Sequence, residues 1–214
     1  MSTRGYDNSR RTEAAQATRA RILRAAHRHF LEAGYHPTTI AALARAAGVS
    51  PQTIYNTVGG KAQVLKAVYD VVLAGDDQPI AMNDRPEIAR IYRQPDIGAT
   101  LRAYAAFARM LLERAGPLLG VVLAEGAGSD AELSAFLATI DTERRIGNSG
   151  VVRHIETAFG LNGDLDAERA VDLVWTLTAP ENADRLIRRC GWGLDAYQDW
   201  LAGALVAALD ARAG

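Results

Sequence analysis

Apolar residues recur at helical spacing through most of the chain, and glycine, proline and capping residues punctuate them. Between Glu13 and Ala33 the apolar positions are Ile22, Leu23, Ala26, Phe30 and Leu31, three and four residues apart around one helix face. Gly34 is a natural stop. Thr38 or Thr39 can cap a second, short helix whose apolar positions are Ile40, Leu43, Ala44 and Ala47, and Gly48 ends it. Ser50 followed by Pro51 reads as an N-cap and a proline in the first helical position, which starts a third helix. Gly59 and Gly60 break that helix, and a fourth is expected over about 61–73, with Val64, Leu65, Val68 and Val72 on one side.

The stretch 74–96, rich in Asp, Pro and Arg, reads as a connection containing a short helix. Helical patterns return over about 97–114, 117–124, 130–158, 166–178, 181–190 and 194–211. Asp130 and Asp166 are good helix starters, and Gly116, Gly160 and Gly191 good stops. Gly147 and Gly150 weaken the middle of the long 130–158 segment. No alternating apolar–polar run suggests a strand, so the fold is expected to be all-α. The polar, aperiodic residues 1–13 are expected to form a flexible basic arm, residues 14–60 a three-helix domain, and residues 61–214 a larger helical domain joined to it through the fourth helix.

The segment from Thr38 to Val58 has the mechanics of a helix-turn-helix. Two short helices must cross steeply through a tight turn. Ala44 is small enough to let them approach, and Gly48 can take the left-handed conformation of the corner. Val49 plugs that corner, while Ile54 and Val58 anchor the second helix. Gln52, Thr53, Tyr55, Asn56 and Thr57 are left facing outward with hydrogen-bonding groups suited to phosphates and base edges. A structural hairpin with a polar outer face would share this pattern.

Charge separates the two readings. The chain carries −1 overall, but residues 1–66 hold ten Lys/Arg against three acids, a balance of +7, and the remainder is −8. A basic front and acidic rear imply that the front alone meets a polyanion. Other classes find little support. Glu-x-x-His pairs, phosphate-binding glycine loops and nucleophile elbows do not occur, and the four histidines have no zinc-site spacing. No enzyme, metal or cofactor is expected. With no long apolar run, no secretory pattern behind the N-terminal charges and one cysteine, Cys190, the expected setting is cytoplasmic.

The residues Ile22-Leu23-Arg-Ala-Ala26, Phe30, Gly34, Thr39-Ile40, Leu43-Ala44, Ala47-Gly48-Val49-Ser50, Thr53-Ile54-Tyr55, Lys61 and Leu65 together resemble the TetR family of one-component regulators. The resemblance covers about residues 15–70. The later stretches Asp172 to Pro180, Gly191-Trp192 and Tyr197 to Leu201 resemble the C-terminal helices of an actinobacterial-style branch. The family likeness implies a homodimeric DNA-binding regulator, a repressor by the usual mode, released from a palindromic operator by a small effector. The alternative is a DNA-binding protein with no effector, architectural or constitutive. A protein-interaction module is disfavoured by the basic front.

By position, the resemblance puts Pro51, Gln52, Thr53 and Asn56 at the major groove, with Ser50 and Thr57 flanking them. It puts Thr39, Tyr55 and Lys61 on phosphates, and Arg10 and Arg11 in or beside the minor groove. The sequence departs from the family in having Val58 where an aromatic is frequent, Gly60 where a polar cap is frequent, and Ala41, which offers no base contact. The implied effector would be largely apolar. Its candidate lining is Tyr104, Phe107, Met110, Leu111, Phe136, Ile140 and Trp175, with Arg109, Arg144 and Asn148 as polar contacts. Val171, Val174, Tyr197, Trp200, Leu201 and Leu205 are the candidate dimer interface.

Overall fold

A computed structural model describes residues 4–125, 130–161, 163 and 165–210. Among the described residues there is no strand. The helices are α1 (Arg4–Ala33), α2 (Ile40–Ala47), α3 (Pro51–Thr57), α4 (Lys61–Ala74), α5 (Pro86–Tyr92), α6 (Ile97–Ala124), α7 (Ala131–Phe159), α8 (Ala167–Leu177), α9 (Pro180–Ala183) and α10 (Leu194–Leu209). A short 3-10 turn spans Met82–Asp84, and a π-helical turn spans Asp184–Arg189. The chain divides into two units: residues 1–77 with 117–136, and residues 78–116 with 137–214. No helix among the described residues is long and apolar enough to cross a membrane.

In the first unit, α1 presents Ile22, Leu23, Ala26 and Phe30 to the core, all at most 4% exposed. They share the interior with Leu43 and Ala44 of α2, Ile54 of α3, and Val64, Leu65 and Val68 of α4. Tyr69 meets Phe136 edge to face, with ring centroids 5.5 Å apart. The second unit gathers Leu101, Tyr104 and Ala105 of α6, Val151, Val152 and Ile155 of α7, Val174 of α8 and Tyr197, Leu201 and Leu205 of α10 into one cluster.

Three local departures from the sequence pattern have plain causes. Residues 4–13 are not an arm but the first turns of α1; residues 1–3 lie outside the described residues. Absence of an apolar stripe argues against burial, not against helix, and residues 10–17 are indeed helical and exposed. The expected break at Gly116 does not occur: α6 continues through Pro117, although that proline supplies no N–H to the ladder. Burial of Leu118, Leu119 and Val122 favours the helical path beyond it. α7 is also continuous across Gly147 and Gly150. At Gly150 a Cβ would stand 3.2 Å from the Tyr92 hydroxyl, so a close approach explains that glycine. Tyr92 stacks on His154 one turn further along, at 4.5 Å.

Helix ends follow capping rules. Asp166 accepts from the Arg169 N–H at the start of α8, and Asp130 accepts from the N–H groups of Glu132 (2.7 Å) and Leu133 (2.9 Å) at the start of α7. The bond from Leu133 is the main cause holding the Asp130 carboxyl below its ordinary pKa, and His36 and Lys61 pull the same way.

Two outcomes follow. Leu43→Ala, which empties a fully buried position, should cost about 2–5 kcal/mol in denaturant unfolding. Asp130→Asn should lower the melting temperature at neutral pH, where the charged cap acts. Because a depressed carboxylate pKa stabilises above the unfolded value, that difference should shrink as pH falls below about 4. A difference constant with pH would show that the charge is irrelevant to the cap.

Candidate nucleic-acid interface

The first unit builds its exposed polar surface from two caps and one corner. Thr39 is the N-cap of α2 and accepts the Ala42 N–H on its hydroxyl at 3.2 Å. α2 ends at Gly48, whose φ of 65° and ψ of 43° lie in the left-handed region. The Val49 N–H reaches back to the Ala44 carbonyl at 3.0 Å and closes the corner. A side chain at Gly48 would meet nothing within 4 Å, so backbone conformation, not space, calls for glycine there. Ser50 then caps α3, accepting the Thr53 N–H at 3.1 Å, with Pro51 in the first turn. Ile54, fully buried, ties α3 to the core, and Val58 is half-buried behind it.

This arrangement leaves Pro51, Gln52, Tyr55 and Asn56 exposed on α3, with Thr53 and Thr57 half-buried. Tyr55 is 53% exposed, high for an aromatic side chain. The outward groups are organised among themselves. The Ser50 and Thr53 hydroxyls are 2.8 Å apart, and the Gln52 amide donates to Asn56 Oδ1 at 2.8 Å. Gln52 Nε2 has a second N–H and its Oε1 carries no role in that bond, so donor and acceptor edges can still face a partner. Arg21, Arg24, Arg28 and Arg45 are exposed on α1 and α2, as are Arg10 and Arg11 further up α1.

Lys61, at the start of α4, is placed differently from a simple solvent-facing cation. Its ammonium donates to the Tyr35 carbonyl at 3.2 Å and lies 4.1 Å from the centre of the Tyr35 ring. The turn before α2 is itself held from far along the chain. The Glu125 carboxylate accepts the N–H groups of Tyr35 (2.5 Å) and His36 (2.9 Å), and the Tyr35 phenol donates to Glu132. The His36 ring lies 3.4 Å from Asp130 and 3.6 Å from Glu125. Burial, then the bond to Glu132, pushes the Tyr35 phenol far above its ordinary pKa, so it stays a donor. Gly34 is confined on two counts: its φ is 91°, and an added Cβ would stand 2.2 Å from Glu125 Oε1. None of Tyr35, Glu125 and Glu132 was singled out from sequence. The only local hint is the Gly34-Tyr35 pair, because the carboxylates are ninety residues or more away.

The residues assigned to an effector and a partner fall as follows. Tyr104 and Phe107 are buried and stacked, with centroids 6.2 Å apart. Met110 and Leu111 are half-buried against the same cluster, Ile140 is buried and Trp175 half-buried. Phe136 belongs to the first unit, against Tyr69. Of the polar candidates, Asn148 is buried, Arg144 is bonded to Asp141 and to the Trp175 carbonyl, and Arg109 reaches Glu113, Asp195 and Gln198. Val171, Val174, Tyr197, Leu201 and Leu205 are all buried within the second unit's own core, and Trp200 is half-buried. The apolar surface that α8 leaves outside is Leu173, 39% exposed. Among the described residues no group of three or more His, Cys, Asp or Glu could hold a metal ion.

The sequence profile of the bacterial regulatory proteins of the tetR family matches residues 22–68, the stretch that builds this surface. No curated protein matches the chain in sequence. Among solved structures, the chain resembles FadR from Bacillus subtilis in complex with stearoyl-CoA, at 19% identity and a TM-score of 0.68, over 88% of this chain and 97% of that one. A TetR-family transcriptional regulator from Syntrophomonas wolfei is similar at 14% identity and a TM-score of 0.71, over 90% and 95% of the two chains. The fatty acid degradation regulator FadR from Bacillus halodurans is similar at 17% identity and a TM-score of 0.66, over 87% and 93%. These likenesses extend the shared fold across nearly the whole length. Residues 22–68, which include the helix-turn-helix built by α2 and α3, thus match the model of the bacterial regulatory proteins of the tetR family, and the rest of the chain shares the fold of the solved structures that it resembles.

Proposed function

We propose that the chain is a repressor that binds a palindromic operator as a homodimer and is released by a small, largely apolar effector. The observation that carries the reading is the outer face of α3: Gln52, Tyr55 and Asn56 stand exposed on a helix fixed at one end by the Ser50 cap and underneath by Ile54. A recognition helix needs that combination of rigid seating and free hydrogen-bonding edges. Gln52 is the principal base reader, because a carboxamide can pair with adenine in two places. Asn56 orients it, Thr53 and Pro51 flank it, and Thr39, Ser50, Tyr55 and Thr57 supply phosphate contacts. Arg10 and Arg11 extend the basic surface along α1. Lys61 contributes charge from its seat on Tyr35.

One such head touches too few bases for useful specificity, and two reading half-sites about one helical turn apart multiply it. Pairing would use the outward faces of α8 and α10, with Leu173 and Trp200 as their apolar elements. The effector would be received among Tyr104, Phe107, Met110, Leu111, Ile140 and Trp175. The stearoyl-CoA held by the Bacillus subtilis FadR supports an apolar ligand for this fold.

Selection of bound sequences from random DNA should enrich a palindrome, and failure to enrich one would overturn the reading. On the selected site, Gln52→Ala should lose about 1–3 kcal/mol while random DNA is bound as before. Lys61→Ala should weaken selected and random DNA alike and flatten the salt dependence. Equal losses on both DNAs for Gln52→Ala would remove it from the base-reading role.

A further inference from the structure

The core of the second unit contains a polar centre that its own residues do not complete. Tyr104 of α6 is 7% exposed, and its phenol donates to Asn148 Oδ1 of α7. Asn148 is 3% exposed, and its Nδ2 is buried with no hydrogen-bond partner. One turn earlier on α7, Arg144 donates to Asp141 at 2.7 Å and to the Trp175 carbonyl of α8 at 2.9 Å. The Trp175 indole N–H is also buried without a partner. Burial pushes the Tyr104 phenol far up, against the pull of the nearby Arg144 charge, so the phenol is a permanent donor and Asn148 Oδ1 a committed acceptor. What the centre lacks is therefore an acceptor. A buried amide donor without one is a standing cost and calls for a partner that the chain's own side chains do not supply.

Charge narrows what that molecule can be. The unpartnered Asn148 donor is neutral, and Arg144, the cation whose charge reaches Tyr104, is already matched by Asp141. A carboxylate placed here would be stripped of water without gaining an unpaired cation. The group that the centre lacks is an acceptor, so the molecule must bring an oxygen with free lone pairs. A neutral carbonyl oxygen fits both conditions. We propose that Asn148 Nδ2 receives the carbonyl oxygen of a neutral, mainly apolar small molecule, of the ketone, ester or lactone class. This deepens the effector reading above and rests on it. Tyr104 acts as a positioning residue, fixing which edge of the Asn148 amide faces inward.

The test uses the full chain and two probes of matched length, 2-decanone and decanoate, with binding followed by calorimetry at neutral pH. 2-Decanone should bind, and decanoate should bind at least about tenfold more weakly. The double variant Tyr104→Phe with Asn148→Leu removes donor and acceptor together. It should melt at or above the temperature of the native chain and yet bind 2-decanone at least about tenfold more weakly. The proposal is overturned if decanoate binds as tightly as the ketone, if the double variant binds the ketone unchanged, or if the native chain does not bind the ketone. The comparison of the two probes on the native chain holds even if the variant fails to fold. Release of selected DNA is read separately. Ketone binding without DNA release refutes the effector reading and leaves the carbonyl site standing, and release by a carboxylate alone does the reverse.

Discussion

The outer face of α3 depends on one corner. α3 has only seven residues, too few to hold a helical shape by its own hydrogen bonds. It is helical because Gly48 turns the chain through the left-handed region, Ser50 satisfies the first free N–H, and Ile54 is fully buried beneath. Each alone is worth about a kilocalorie or a few. Together they fix the direction of the outward side chains. Rigid seating matters because a base edge is read through hydrogen bonds that weaken steeply with misalignment.

A second constraint acts on the turn that feeds this corner. Gly34, Tyr35 and His36 carry backbone N–H groups past the end of α1, and Glu125 accepts two of them. Lys61 closes over Tyr35 from the other side. The entry to α2 is thus pinned by a carboxylate at the end of α6 and a cation at the start of α4. A charged acceptor bonded to two amides is among the stronger local contacts available to a chain. Lys61 consequently has a structural seat as well as a charge, and a substitution there acts on both.

The second unit follows a different economy. Its candidate interface residues are core: Val171, Val174, Tyr197, Leu201 and Leu205 point inward, and the surface left for a partner is thinner and less apolar than the stripe suggested. Within that core the Tyr104 phenol of α6 donates to the Asn148 side chain of α7, and both are buried. An apolar interior that keeps an amide with an unmet donor is arranged for more than stability, since apolar replacements of similar shape would remove the cost.

The first sixty residues were legible because their determinants are local. Helix period, the Thr39 and Ser50 caps, the Gly48 corner and the Gly59-Gly60 break act within four or five positions, and α2, α3 and α4 begin and end close to where those signals stand. Charge separation added the polyanion. Where the determinant is absence, the sequence misled: residues 4–13 lack a stripe but have nothing to forbid a helix, and Gly116-Pro117 interrupts propensity but not α6. An apolar stripe likewise announces burial without saying against what, and the stripes of α8 and α10 are buried within the second unit. By itself, then, the sequence determined the all-α class, the helix-turn-helix and its outward residues, through short-range sterics and capping. Only the tertiary structure decided that Glu125 holds the Tyr35 turn, that Gln52 bonds Asn56, and that Asn148 is buried with a donor unmet, because those outcomes depend on which side chains meet in space.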